Sequence, residues 1–224
     1  MLVAGFPAQM FATNCWVVAP AAGQECVVVD PGVGVVDELA DVLAEHRLRP
    51  VAVLLTHGHL DHTYSVAPVC GARGIPAYVH TEDRYRLADP ISLLDPQLRA
   101  ALGGVLTWTE PDDVLALADG AVLALAGLQV TVDHAPGHTE GSVLFRLPAA
   151  GDDAPLCLSG DVLFRGSVGR TDLAGGDPQA MERSLRTKVL PLPDETVVLP
   201  GHGEATTIGH ERASNPFLAQ AARS

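Results

Sequence analysis

Thr56-His57-Gly58-His59-Leu60-Asp61-His62 sets three imidazoles and a carboxylate within six residues. Directly before it runs Val51-Ala52-Val53-Leu54-Leu55, apolar and rich in β-branched side chains, which predicts a buried strand. The polar cluster therefore sits on the C-terminal exit of a strand, where a rigid element presents a loop. A polar turn with a chance excess of histidine is the competing reading. It would require three of the nine histidines of the chain to collect in one turn by accident.

At 224 residues the chain could form one large domain or two small ones. No polar linker separates two halves, so one domain over residues 1–224 is expected. Hydrophobic residues make up 47% and charged ones 18%, which supplies a core and gives no compositional case for disorder. The formal net charge of −13 argues against nucleic acid or an anionic membrane surface as partner, because phosphate binding needs clustered Lys and Arg. A metal centre would offset this acidity locally. No apolar run approaches the roughly 20 residues that span a bilayer. The N-terminus carries no basic region ahead of its apolar residues, unlike a signal peptide. Cys15, Cys26, Cys70 and Cys157 form no C-x-x-C pair and read as reduced, mostly buried thiols of a cytoplasmic protein. No internal repeat occurs at solenoid periods.

In chain order, Leu2 to Phe6, Asn14 to Ala19 and Glu25 to Asp30 read as short Val-rich strands, with Pro20 to Gly23 as a turn. Asp30 ends the third strand, and a solvated turn residue and a support for the site are competing readings. Val35, Leu39, Val42 and Leu43 recur at helical spacing through Arg47, with His46 read as solvent-facing in the last turn. After the strand at 51–55 come a helix from Ser65 to Cys70 and a strand from Ile75 to His80, an α/β rhythm. Pro90, Pro96 and Gly103-Gly104 break every pattern in residues 83–112, which read as a loop with helical turns on the rim of the site. Strands resume at Ala121 to Leu125, Leu128 to Asp133, Ser142 to Leu147 and Leu156 to Ser159. Pro178 to Thr187 is a helix with Asp177 as N-cap, and Thr196 to Leu199 is the last strand. Two strand-rich halves with helices predict two sheets packed face to face with helices outside.

The second half repeats the pattern of the first. Leu128 to Asp133 runs into His134-Ala135-Pro136-Gly137-His138-Thr139, Leu156 to Ser159 into Gly160-Asp161, and Thr196 to Leu199 into Pro200-Gly201-His202-Gly203. Glycine and proline let each strand end turn sharply and aim its side chain at a shared pocket. If the turns meet, they gather His57, His59, Asp61, His62, His138, Asp161 and His202. Five imidazoles and two carboxylates suit zinc, with iron or manganese as alternatives, and two carboxylates offset the charge of two close divalent ions. For His134 a supporting role competes with ligation, and His80 and His210 read as structural.

Thr56-His57-Gly58-His59-Leu60-Asp61-His62 resembles the T-H-x-H-x-D-H signature of the metallo-β-lactamase superfamily. Ala135-Pro136-Gly137-His138-Thr139, Ser159-Gly160-Asp161 and Pro200-Gly201-His202 resemble its later motifs, in the same order. The resemblance implies an α/β fold, an αββα four-layer sandwich of two mixed sheets flanked by helices, with a two-metal site at one edge. It implies that His57, His59 and His138 hold one ion, that Asp61, His62 and His202 hold the other, and that Asp161 bridges both.

Gly160-Asp161-Val162-Leu163-Phe164, Gly166-Ser167-Val168-Gly169-Arg170-Thr171-Asp172, Glu211-Arg212 and Asn215-Pro216-Phe217-Leu218 look like the short glyoxalase II-like thioesterases within that superfamily. The implied activity is hydrolysis of a small-molecule thioester, S-D-lactoylglutathione or a related acyl-thiol, to a hydroxy acid and free thiol by metal-bound hydroxide. Asp61 would orient that hydroxide. Arg170 is the candidate for a substrate carboxylate, its competing reading being an ion pair with Asp172. A persulfide dioxygenase of the same superfamily shares the Gly-Arg-Thr-Asp loop and uses a single iron. Another hydrolase of this fold, or a metal-binding protein without turnover, are further alternatives. Thiol carrier, acyl group and oligomeric state have no counterpart in the pattern.

Overall fold

The computed structural model of the chain describes residues 1–102 and 104–223, so Gly103 of the Gly103-Gly104 pair lies outside the described residues. The first six-stranded sheet is formed by β1 (Leu2–Pro7), β2 (Asn14–Ala19), β3 (Glu25–Val29), β4 (Arg49–Leu54), β5 (Ala77–His80) and β6 (Val114–Leu117), in that spatial order. Its first three strands are antiparallel and the pairs from β3 to β6 parallel. The second sheet holds β7 (Val122–Leu125), β8 (Leu128–His134), β9 (Val143–Leu147), β10 (Leu156–Gly160), β11 (Val197–Pro200) and β12 (Thr206–Thr207), again as neighbours in chain order. Only its β10–β11 pair is parallel.

The near-continuous apolar runs follow from strands buried on both faces. In β3, Cys26 and Val28 join one core while Val27 and Val29 join a second core between the sheets, and β4 divides Val53 from Ala52 and Leu54 in the same way. In β9, Val143, Phe145 and Leu147 enter the inter-sheet core while Leu144 faces a third core. After α1 (Val36–His46) and the short α2 (Leu60–Thr63) comes α3 (Val66–Gly71), and α1 and α3 close the first core through Leu39, Leu43, Val66 and Val69. The third is closed by α5 (Pro178–Ser184), the π turn Leu185–Val189, α6 (Ile208–Ser214) and α7 (Pro216–Ala221) through Met181, Leu185, Ile208 and Leu218. Three cores between four layers give the αββα sandwich. The fully buried Phe145 anchors the middle one, and its truncation to alanine would cost about 3–5 kcal/mol.

Asp177 caps α5 as the sequence predicts, its Oδ1 accepting from the backbone N–H of Gln179 at 2.8 Å and Ala180 at 3.1 Å. The 83–112 stretch contains the 3₁₀ turn Thr81–Leu87 and helix α4 (Pro96–Leu102), which buries none of its residues. Strand β6 has no counterpart in the sequence reading, which leaves 113–120 unassigned. It pairs in parallel with β5 at the sheet edge, and with Leu115 42% exposed it lacks the apolar pattern of the central strands. Helices α6 and α7 also escape the periodicity, although Thr207 caps His210 N–H at 3.2 Å and Asn215 caps Phe217 N–H at 3.0 Å ahead of Pro216. His46 is half-buried rather than solvent-facing, because Gly23 N–H donates to its carbonyl at 2.9 Å and folds the β2–β3 turn over it.

Candidate metal centre

The ends of β4, β8, β10 and β11 meet at one edge of the sandwich, joined backbone to backbone. Val143 N–H donates to the Thr56 carbonyl at 2.8 Å across the two sheets, and Gly201 N–H donates to that of Gly160 at 2.8 Å. Asn14, at the start of β2, donates N–H to Gly201 O at 2.7 Å, and its side chain holds the carbonyls of Pro200 at 3.1 Å and Gly203 at 2.9 Å. At Gly201 a Cβ would fall 2.3 Å from Asp161 Oδ1 and 2.7 Å from His62 Cε1, so the cradle around that carboxylate requires glycine. Gly160 adopts φ +47°, a left-handed turn that aims Asp161 inward, and a Cβ there would meet Thr56 Oγ1 at 2.4 Å.

All seven residues singled out from the sequence come together. His57, His59 and His138 form one group, Asp61, His62 and His202 a second, and within each the candidate ligand atoms lie within 4.8 Å of one another. His57, His62 and Asp161 form a third group overlapping both. Asp161 spans the site, with Oδ1 3.4 Å from His62 Nε2 and Oδ2 3.5 Å from His138 Nε2 and 3.6 Å from His202 Nε2. Asp61 Oδ2 lies 3.5 Å from His62 Nε2 and 3.3 Å from His202 Nε2. His59 Nδ1 faces His138 Nε2 at 2.9 Å.

On His57, His62 and His138 the other ring nitrogen is anchored. Thr56 Oγ1 donates to Asp30 Oδ2 at 2.6 Å, which leaves its lone pairs to accept from His57 Nδ1 at 3.1 Å. His62 Nδ1 lies 3.0 Å from Asp30 Oδ2, and His138 Nδ1 lies 2.8 Å from the Arg170 carbonyl. A proton held on each Nδ1 would present Nε2 inward as the atom to ligate an ion. His57 Nε2, His62 Nε2 and Asp161 Oδ1 are buried without any hydrogen-bond partner, a costly state for polar atoms unless a cation takes them up. The donor set and these orphaned atoms fit divalent metal.

The electrostatics agree. Burial, and then the crowding of His62, His138, His59 and His202, drives the His57 imidazole well below its ordinary value. Burial and then His138 push His59 down to about 3. Burial opposes charge on His62 as well, but Asp161, Asp61 and Asp30 hold it well above the usual imidazole range. Burial opposes charge on Asp61, yet His62 and His202 hold its carboxyl below the usual range, and His62 does the same for Asp161. One half thus holds neutral bases, while in the other the ionised Asp61 and Asp161 favour positive charge at His62, which a proton supplies there and a bound cation would supply in its place.

A cavity of about 190 Å³ opens beside His59 and Asp61, lined also by Phe11, Leu94 and Arg170. The Arg170 guanidinium is exposed and donates to Asp172 through Nε at 2.7 Å and Nη2 at 2.8 Å. His134 stacks on His80, with ring centroids 3.9 Å apart, and its Nε2 lies 2.8 Å from the Glu140 carbonyl. His210 lies in α6, half exposed. Three supports carry no signal in the sequence. Thr13 donates Oγ1 to Asp61 Oδ2 at 3.1 Å. Asp83 receives Gly58 N–H at 2.7 Å and Gly141 N–H at 2.8 Å, which ties together two of the histidine loops. The buried Arg86 pairs with Asp83. For Asp30, the structure selects the supporting role.

Known proteins share this architecture. An uncharacterized protein of Mycobacterium tuberculosis is 49% identical over 220 residues, which covers 97% of this chain and 98% of that protein. The hydroxyacylglutathione hydrolase GloC of Haemophilus influenzae is 34% identical over 212 residues, 95% of each chain. The BLEG-1 B3 metallo-β-lactamase superposes with a TM-score of 0.81 at 37% identity, covering 97% of this chain and 99% of its own. The di-iron-bound form of TTHA1623 gives 0.79 at 38% identity, covering 96% and 100%. The sequence profile of the metallo-β-lactamase superfamily matches residues 9–202, from the loop before β2 to the last imidazole of the centre. Among the described residues no helix is long and apolar enough to cross a membrane. The donor set fits a metal-dependent hydrolase, the kind of enzyme that the GloC and BLEG-1 names describe, and the chain belongs to the metallo-β-lactamase superfamily.

Proposed function

We propose that the protein is a binuclear metal-dependent thioesterase, which hydrolyses an acyl-thiol to a carboxylic acid and a free thiol. The observation that carries this reading is the pair of ligand groups, His57/His59/His138 and Asp61/His62/His202, spanned by Asp161. A complete second group favours two ions over a single iron. Zinc suits five imidazoles and two carboxylates, and iron or manganese are the alternatives. The bound ions would supply a water of lowered pKa and polarise the thioester carbonyl.

Asp61 has a second task besides ligation. Its Oδ2 is fixed by Thr13, which leaves the carboxylate oriented to accept a hydrogen bond from the attacking water. The cavity beside His59 and Asp61 would receive the thioester carbonyl. A thiol ionises near pH 8.5, only about 1.5 units above neutrality, so the thiolate departs without a side-chain general acid. The 34% identity to GloC, named as a hydroxyacylglutathione hydrolase, supports a thioester as the substrate class.

The test is metal analysis joined to thioester hydrolysis by the purified protein, with released thiol read colorimetrically. Two metals per chain with thiol release support the reading. One iron with oxygen uptake on glutathione persulfide would replace it, and ring opening of β-lactams without thiol release would move the chain to the activity named for BLEG-1.

A further inference from the structure

The wall of the cavity beside His59 and Asp61 is apolar on several sides. Phe11 precedes β2, Leu60 opens the short helix α2 (Leu60–Thr63) that carries Asp61 and His62, Leu93, Leu94 and Leu98 come from the α4 region, and Leu173 follows Arg170. Leu93 and Leu98 are 37% and 36% exposed, large apolar side chains left open beside a polar centre. Clustered exposure of this kind marks a binding surface. Phe11 is held at φ +68° and Ala12 at +54°, a left-handed conformation that bulky residues avoid. The loop is closed by Ala8 N–H donating to Thr13 O at 2.7 Å, and Thr13 in turn holds Asp61. The strained loop thus fixes Phe11 over the cavity from the same residue that orients the Asp61 carboxylate.

The charges point the same way. Among the described residues that line the cavity, Arg170 is the one cation. Asp172 takes its Nε and Nη2 together, and Asp95, on the α4 side, adds a second negative group within its field. Away from the ions that the centre would hold, an anionic thiol such as glutathione, with two carboxylates and one ammonium, meets on this wall a guanidinium already paired with Asp172 and the negative Asp95.

We propose that the site takes a short apolar acyl thioester of an uncharged thiol, with the acyl chain against Phe11, Leu94 and Leu98. This rests on the thioesterase reading and narrows it. A cavity of about 190 Å³ is smaller than the roughly 300–1,000 Å³ that holds a drug-sized ligand, so the chain it accepts is a few carbons long.

The experiment uses metal-loaded protein with acetyl, propionyl and butyryl thioesters of N-acetylcysteamine, alongside S-D-lactoylglutathione. The expected kcat/KM rises about fourfold per added methylene, the value of burying one CH₂, and the butyryl thioester exceeds lactoylglutathione at least tenfold. Asp172→Asn releases Arg170 and should raise the glutathione-to-N-acetylcysteamine ratio severalfold. Leu98→Asp, at an exposed position that folding does not depend on, should flatten the chain-length series. Calorimetry with the non-hydrolysable S-butyl and S-methyl thioethers of N-acetylcysteamine, and with S-butylglutathione, reads binding without turnover. Preference for lactoylglutathione, or a flat series in the unmodified protein, overturns this inference and leaves the thioesterase reading standing. Tight S-butyl-N-acetylcysteamine binding with no thioester turned over rejects the thioesterase reading while upholding the apolar wall.

Discussion

His62 Nδ1 lies 3.0 Å from Asp30 Oδ2, while the opposite ring nitrogen of the same imidazole is buried with no hydrogen-bond partner. The same carboxylate receives Thr56 N–H at 2.8 Å and Thr56 Oγ1 at 2.6 Å. One buried anion therefore sets the tautomer of His62 and, through Thr56, that of His57. It reaches one imidazole in each of the two ligand groups. Asp30 stands at φ +51°, a conformation that Asp and Asn tolerate better than other side chains with a Cβ.

Asp30→Asn should keep this backbone and lose the charge. Outer partners of ligating histidines are worth about 10–100-fold in metal affinity, and a loss of that size is expected in a zinc titration against a chromophoric chelator, with an unchanged circular dichroism spectrum. Wild-type affinity in the variant would mean that the 3.0 Å contact does no orienting.

Gly201→Ala places a methyl group 2.3 Å from Asp161 Oδ1 and 2.7 Å from His62 Cε1. Neither neighbour can retreat freely, because both are packed among other candidate ligands. Overpacking of this kind costs about 1–3 kcal/mol, and the displaced carboxylate should lower metal content as well as the melting temperature. A variant that melts and loads like the parent would show that Asp161 does not need its observed place.

Single ligand deletions separate the two groups. His202→Ala removes a member of the Asp61/His62 group only, whereas Asp161→Ala removes the residue that reaches His62, His138 and His202. Mass-spectrometric metal counting should give near one ion per chain for the first and less than one for the second. His57→Ala should abolish turnover with its metal. Two ions retained after Asp161→Ala would remove the bridging role.

The strand ends that carry the ligands are legible in sequence because each is a local event, an apolar run stopping at glycine or proline beside His or Asp. The supports are not local. Asp83 gathers Gly58, Thr139 and Gly141 from positions 25, 56 and 58 residues away, which no spacing rule connects. Thr13 reaches Asp61 across 48 residues. Strand β6 is illegible for a different reason, since an edge strand with Leu115 42% exposed does not show the both-faces burial that reveals β3 and β4.

The cysteines should be chemically silent. Burial is the largest influence on all four, and it pushes the thiols of Cys26, Cys70 and Cys157 up to about 12 and that of Cys15 further still. Thiolate, the reactive form, then appears only as the pH climbs toward those values. Between pH 7 and 9 a disulfide reagent should label native protein very slowly, with the full complement of four reacting once denaturant is added. A rapidly labelled thiol at pH 8 would contradict this burial.

Asp83 ties the site to the stability of the whole edge. Its Oδ2 accepts from Gly58 N–H and Thr139 Oγ1, each at 2.7 Å, and its Oδ1 from Gly141 N–H at 2.8 Å and Arg86 Nε at 3.2 Å. Both Asp83 and Arg86 are buried, so Asp83→Ala strands a guanidinium that keeps Glu140 as its remaining carboxylate. Breaking one side of a buried ion pair costs about 3–5 kcal/mol. At about 2–4 °C per kcal/mol for a chain of this length, the melting temperature should fall by roughly 10 °C, and metal affinity should fall with it because the loops of His57 and His138 lose their common anchor. Asp83→Asn retains an acceptor oxygen and should recover part of both losses. A melting temperature within a degree or two of the parent in Asp83→Ala would show that the loops are held by the strands alone.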